Sequence, residues 1–181
     1  MTGRVGDCSN RARIRSIQRF IDEVYMRGYG GVSIRGLGIG PIQAESAFFD
    51  CLAREHGDCN PFADAGWRQL AACFDELVAP RRRIDLLDIG CGTGRSRQIY
   101  ERHLKRYVGV DLSTESIRIA RERFPRIGWR VAEACDLPMA DQSFEVVAFS
   151  SVLHHIPDKS LALKESAPSV EAGRSRFCVR S

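Results

Sequence analysis

No stretch of the 181 residues approaches the ~20 consecutive apolar residues that a membrane span requires. Residues 1–19 carry basic side chains but no continuous apolar run and no small-residue cleavage site, so they do not read as a secretory signal. No membrane association and a cytoplasmic location are the expectations that follow. None of the seven cysteines forms a C-x-x-C pair, and no histidine stands at ligand spacing from a cysteine pair. That excludes the short-spaced zinc motifs and leaves no metal expected. The cysteine count is odd, which favours scattered free thiols over a disulfide framework. There is no internal repeat. A 44% share of hydrophobic residues with 28% charged fits one globular domain with its own core.

The net charge of +4 is unevenly spread. Residues 81–130 hold 13 Lys and Arg against 6 Asp and Glu, whereas residues 21–80 hold 4 against 9. A basic segment can mark a nucleic-acid partner, but here the basic residues are dispersed along helical stretches and alternate with acids, as on solvated outer faces. Nucleic acid is therefore not expected as a partner.

The first 80 residues read as mostly helical. Ile14, Ile17, Ile21, Val24 and Tyr25 share one face of a helix over 10–26. Six glycines in residues 28–40 make a loop. Helices follow over 43–55, with Ala44, Ala47, Phe48, Cys51 and Leu52 on one face, and over 65–78, with Trp67, Leu70, Ala71, Phe74, Leu77 and Val78. From Arg83 the pattern turns to alternating strands and helices. Strands are predicted over 84–89, 107–110, 129–132 and 144–149, with a helix from the glycine loop to about Leu104 and another capped by Ser113. Such alternation implies βαβ units, a parallel sheet and a ligand at the carboxyl ends of the strands.

Four segments follow those four strands. The first, Asp88-Ile89-Gly90-Cys91-Gly92-Thr93-Gly94, lets the backbone turn sharply and approach a ligand. It is not the dinucleotide pattern G-x-G-x-x-G, because position 95 is Arg95. The second ends at Asp111, about 20 residues beyond the glycines, where a carboxylate is placed to accept from two ribose hydroxyls. The third is Asp136-Leu137-Pro138 and the fourth is Ser150 to Pro157, SSVLHHIP.

Together LLDIGCGTGR, VGVDLS, ACDLPMADQSFEVV and SVLHHIPD resemble the motifs of class I S-adenosylmethionine (SAM) dependent methyltransferases, in particular the "type 11" subfamily, which is similar to quinone-biosynthesis C-methyltransferases. The resemblance implies a Rossmann-like α/β sheet, seven-stranded and mostly parallel in the family, with SAM as cofactor and methyl transfer to O, N or C of a small-molecule acceptor. It implies that Asp88, Gly90, Cys91, Gly92 and Gly94 line the methionine end of SAM, that Asp111 holds the ribose hydroxyls and that Leu112 packs on the adenine. Asp136 accepts from the adenine amino group with Leu137 beside it, Ser150 closes the pocket under the sulfonium, and Phe48 or Phe49 covers the site. Cys91 and Cys135 also read as small apolar packing residues, and Asp88 as a brace for the turn. His154 and His155 are the candidates for a general base; the competing reading, that both are structural parts of the loop, is preferred on sequence alone.

The resemblance sets the domain boundaries. Residues 1–42 form a helix and glycine-rich loop. Residues 43–165 form the SAM-binding domain, with a helical cover over 43–80 and the core over 81–165. Residues 166–181 are an irregular tail. The family pattern is lost after Glu165, so strands 1–4 are expected, with the C-terminal strands missing or ragged and the chain read as truncated. Val146–Ser151 would then be an unpaired apolar edge open to self-association. The alternative to an active enzyme is a non-catalytic SAM-binding fragment that folds with a partner.

Overall fold

In a computed structural model of the protein, residues 41–57, 63–78, 83–140, 143–150, 152–167 and 176–180 are described. The helix expected over 10–26 and the glycine-rich stretch 28–40 lie outside them.

Two helices, α1 (Pro41–His56) and α2 (Ala63–Leu77), precede the sheet. Then come β1 (Ile84–Ile89), a one-turn α3 (Arg97–Tyr100) running into a 3-10 turn at Glu101–His103, β2 (Leu104–Asp111), α4 (Thr114–Arg123), β3 (Gly128–Val131), β4 (Val146–Ser150), α5 (Lys159–Ser166) and β5 (Arg176–Arg180). The five strands form one sheet in the order β3-β2-β1-β4-β5, and every pairing is parallel. β1 sits in the middle, bonded to β2 on one side and to β4 on the other. The chain order reverses around it, so the carboxyl ends of β1, β2 and β4 meet at a switch point, the usual place for a ligand in such sheets.

Both faces of the sheet are covered, as parallel sheets require. Strand alternation sorts the side chains. Ile84 and Leu86 of β1, with Val146 and Ala148 of β4, face Leu70, Phe74 and Val78 of the α2 layer and Tyr100 of α3. Leu87 and Ile89, with Val147 and Phe149, face Leu153, Ile156 and Ala162 on the other side. Phe74 and Tyr100 are wholly buried with ring centroids 4.5 Å apart. Each such ring adds roughly 2 kcal/mol of burial.

One expectation is sharpened and one is corrected. The helix after the glycine loop is a single α turn continued by a 3-10 turn to His103, and it ends there because Leu104 is already the buried first residue of β2, paired with Ile84. His103, in the turn between, is buried and meets Asp75 of α2 at 2.8 Å. The correction concerns the edge. β5 runs alongside β4 from Val146↔Arg176 to Ser150↔Arg180, so β4 is an inner strand and the unpaired edge is not there. A ladder of backbone bonds needs no apolar pattern in the partner, which is why flanking arginines did not prevent the pairing.

Candidate functional site at the carboxyl ends of the strands

The glycine loop leaves β1 with three residues at positive φ: Gly90 at 74°, Gly92 at 53° and Gly94 at 81°. The N–H groups of Gly90 and Cys91 both donate to the carbonyl of Val110, which ties the loop to the end of β2. A Cβ on Gly90 would stand 2.4 Å from the side chain of Val152, so the loop and the segment after β4 touch directly at that position. A Cβ on Gly92 would meet no protein atom within 4 Å. Gly92 instead faces a cavity.

Two aspartates flank this loop. Asp88 is completely buried. Its Oδ2 accepts from Ser96 Oγ at 2.5 Å and from the Tyr107 hydroxyl at 2.6 Å. Asp88 has the strand parity of Leu86 and so points into the α2–α3 layer. Burial, with Asp88 alongside, pushes the Tyr107 hydroxyl well above the usual tyrosine range. Asp111 sits at the cavity. Its Oδ2 accepts from the N–H of Gly92 at 2.8 Å and its Oδ1 from the N–H of Ser113 at 2.9 Å. Burial raises its pKa, and those two donors pull it back down.

The cover is α1. Ile42, Glu45 and Phe49, at helical spacing, line the cavity. The neighbouring residues Ser46 and Asp50 fasten the helix: Ser46 Oγ donates to the Leu112 carbonyl at 3.2 Å, and Asp50 Oδ1 accepts from Ser113 Oγ at 2.6 Å and from the Glu115 N–H at 2.9 Å. Asp50 thus reinforces the Ser113 cap of α4, whose own Oγ accepts from the Ser116 N–H.

On the opposite wall, Val152, His155, Ile156 and Pro157 line the cavity after β4. His155 Nδ1 lies 3.1 Å from Glu45 Oε1, and the Phe49 ring stands edge-on to the imidazole with centroids 5.0 Å apart. Ala132, Glu133, Ala134 and Cys135, after β3, close the remaining side. The cavity measures about 240 Å³. Among the described residues its lining holds three carboxylates, from Glu45, Asp111 and Glu133, and no lysine or arginine. A pyrophosphate there would face carboxylates without a cation, against the usual logic of phosphate sites. A cationic sulfonium and a ribose fit that charge set. Among the described residues no group of three or more His, Cys, Asp or Glu side chains is placed to hold a metal.

The structure brings Gly90, Gly92, Asp111, Leu112, Phe49 and His155 to the cavity wall. Asp88, Cys91, Gly94, Asp136, Leu137, Phe48 and His154 are not among the lining residues. Cys91 is buried in the core, and that burial, next to Asp111 and Asp88, holds its thiol well above the ordinary range. Gly94 lies against the Trp129 ring. Asp136 is exposed, its N–H donating to the Glu133 carbonyl, and Leu137 packs against the second core. Ser150 ends β4. His154 is exposed, and partial burial together with His155 lowers its pKa. Ile42, Glu45 and Glu133 escaped the sequence reading. Glu45 had one available signal, its helical spacing from Phe49.

Residues 87–173 match a family described as a methyltransferase domain. The chain is similar to Methyltransferase GfsG of Streptomyces halstedii, 26% identical over 75% of this chain and 60% of that protein. It is also similar to the ubiquinone/menaquinone biosynthesis C-methyltransferase UbiE of Campylobacter jejuni, 27% identical over 61% of this chain and 50% of that one. The chain thus spans about half to three-fifths of the length of these relatives. Among solved structures, the phosphoethanolamine N-methyltransferase 1 of Haemonchus contortus, in complex with phosphoethanolamine and S-adenosylhomocysteine, superposes with a TM-score of 0.62 at 17% identity, covering 81% of this chain and 34% of that one. This last likeness is one of fold. With the parallel sheet, the glycine loop and the carboxylate-lined cavity already established, residues 87–173 are similar to the methyltransferase-domain family.

Proposed function

We propose that the chain binds SAM in this cavity and transfers a methyl group to a small-molecule acceptor. One observation carries the reading. Asp111 is aimed at the cavity by two backbone N–H groups, from Gly92 and Ser113, beside a wall of glycine backbone. Each carboxylate oxygen accepts one of those bonds and keeps a second lone pair, so Asp111 has acceptor capacity for a pair of vicinal hydroxyls. Leu112 offers an apolar surface beside it, and Gly90 and Gly92 leave room for the amino-acid end of the ligand. Gly94, Cys91 and Asp88 support that loop from beneath. Asp136 and Leu137 would complete the adenine side, and Ser150 would stand below the reacting centre.

When bound, SAM supplies a methyl already activated on a sulfonium, so the protein's task is orientation and exclusion of water. α1 performs the second part by closing the cavity with Ile42 and Phe49. β5 pairs with β4, so β4 is not the sheet edge at which self-association was expected. Within the described residues no helix is long and apolar enough to cross a membrane, and we take the cytoplasm as the working compartment.

The test is calorimetric titration of the purified chain with SAM and with S-adenosylhomocysteine, using Asp111→Ala as control. Saturable binding that the variant loses supports the reading. A folded chain that binds neither ligand overturns it.

A further inference from the structure

Among the described residues the cavity wall carries one imidazole, and a carboxylate from another element stands beside it. Glu45 belongs to the cover helix α1 and His155 to the turn after β4, and they meet at Nδ1–Oε1 3.1 Å. The pair is mostly shielded, with side-chain exposures of 19% for His155 and 11% for Glu45. The surfaces around it are apolar: Ile42, Phe49, Val152, Ile156 and Pro157. Among the described residues the charged and titratable groups about His155 are Glu45, Asp111 at the end of β2, the adjacent His154 and Lys159, whose Nζ donates to the Ile156 carbonyl at 3.4 Å. None of the described residues that line this wall is a lysine or arginine.

From this geometry, and resting on the methyl-transfer reading above, we infer that His155 is the general base for an apolar acceptor bearing an ionisable hydroxyl, with Glu45 as its positioning residue. A carboxylate 3.1 Å from Nδ1 favours the tautomer with the proton on that nitrogen, which leaves Nε2 as the nitrogen that takes a proton. It also stabilises the imidazolium once a proton has been taken. An amine would not require this, because a neutral amine attacks with its own lone pair. A hydroxyl attached to an apolar body gains most: the body fits the Ile42–Phe49–Val152 surface, and the oxygen becomes a competent nucleophile only as its proton leaves. The step balances. The acceptor's O–H bond breaks and its proton passes to His155. The electron pair freed on the acceptor attacks the methyl carbon as the carbon–sulfur bond breaks, leaving a neutral thioether. His155 then returns the proton to water. His154, one residue earlier, is exposed and outside the cavity wall, which separates the two histidines that the sequence left equivalent.

The experiment uses the full chain saturated with S-adenosylhomocysteine and the chromogenic phenol 4-nitrocatechol, below the pH at which the free probe ionises. Bound probe should show the phenolate absorbance band. His155→Asn should abolish that band while S-adenosylhomocysteine affinity is unchanged. Glu45→Gln should shift the pH at which the band appears, and His154→Asn should leave it as it is. With SAM in place of the product, methyl transfer to the probe should fall about 10²–10⁴-fold in His155→Asn, the range for loss of a general base. A phenolate band that persists in His155→Asn, an equal loss in His154→Asn, or no uptake of the probe by a chain that binds S-adenosylhomocysteine would each overturn the assignment. Failure to bind S-adenosylhomocysteine at all would instead overturn the cofactor reading beneath it.

Discussion

Asp88 and Asp111 stand near the carboxyl ends of neighbouring parallel strands, in consecutive motifs, and they live in different chemistry. Asp88 Oδ2 accepts from two side-chain hydroxyls inside the core, those of Ser96 and Tyr107. Asp111 is satisfied by two backbone N–H groups at the rim of a cavity. One carboxylate holds β1, β2 and the start of α3 together; the other is presented outward by the loops it fastens. By register the two share a face of the sheet, since Asp88 pairs with Gly109, two residues before Asp111; the difference comes from position, with Asp88 inside β1 and Asp111 the last residue of β2, where the loops begin. An acid before a glycine loop and an acid after the next strand are therefore separable by stability and binding.

The sharpest way to break the comparison is to remove each carboxylate. Asp88→Ala leaves two buried hydroxyls without their acceptor and should lower unfolding stability by about 4 kcal/mol, read by urea denaturation. Asp111→Ala should reduce S-adenosylhomocysteine affinity by about 100-fold, the loss of two charge-assisted hydrogen bonds, in a chain that still melts cooperatively. Equal effects of both substitutions on binding and stability would dissolve the distinction.

The glycines extend the same contrast. Gly90→Ala drives a Cβ into Val152 and should cost about 3 kcal/mol of stability from strain and overpacking. Gly92→Ala projects its methyl into open space at φ 53° and should cost only about 1 kcal/mol. Because Gly92 faces the cavity, it should nevertheless be the more damaging of the two to ligand affinity in the folded chain. Thermal melts and calorimetry on the pair decide this.

pH reports on the Asp88 side. The folded chain keeps the Tyr107 proton above about pH 10, where an unfolded tyrosine releases it. The native state then binds more protons than the unfolded one, so stability falls as pH rises through that region. Cys91 adds a fall of the same sign from about pH 8.5 upward. Tyr107→Phe should flatten only the upper part of the curve, while costing about 2 kcal/mol at neutral pH through the lost bond to Asp88. The smallest effect belongs to the outer face of α4, where the exposed Arg118 bridges Glu115 and Glu122. Arg118→Ala should leave both the melting midpoint and ligand affinity within experimental scatter.

Much of this was legible before any coordinates. The span of β1 follows from an apolar run closed by glycine, and Ser113 was readable as a cap because it precedes a helical stripe. The inner face of α1 was not. Periodicity selected Ala44, Ala47, Phe48, Cys51 and Leu52, whereas the residues that meet the site are Ile42, Glu45, Ser46, Phe49 and Asp50. Three of those are polar, and a hydrophobicity pattern passes over side chains whose inward direction is set by hydrogen bonds. β5 was half-visible for a related reason: its ladder is made by backbone groups, and Arg176 and Arg180 disguise it. Asp88 was read both as lining the ligand and as a brace for the turn, and its Oδ2 takes the hydroxyls of Ser96 and Tyr107.

Trp129 is wedged between the glycine loop and β2, with its ring where a Cβ of Gly94 or of Gly109 would stand and its Nε1 donating to the Phe124 carbonyl at 3.0 Å. An indole held so close to the glycine loop senses any displacement of that loop through its quantum yield and emission maximum. The sequence contains one other tryptophan, Trp67. Replacing it by phenylalanine turns Trp129 into a single intrinsic fluorophore, so that the filling and emptying of the cavity can be followed by stopped-flow optics without a label.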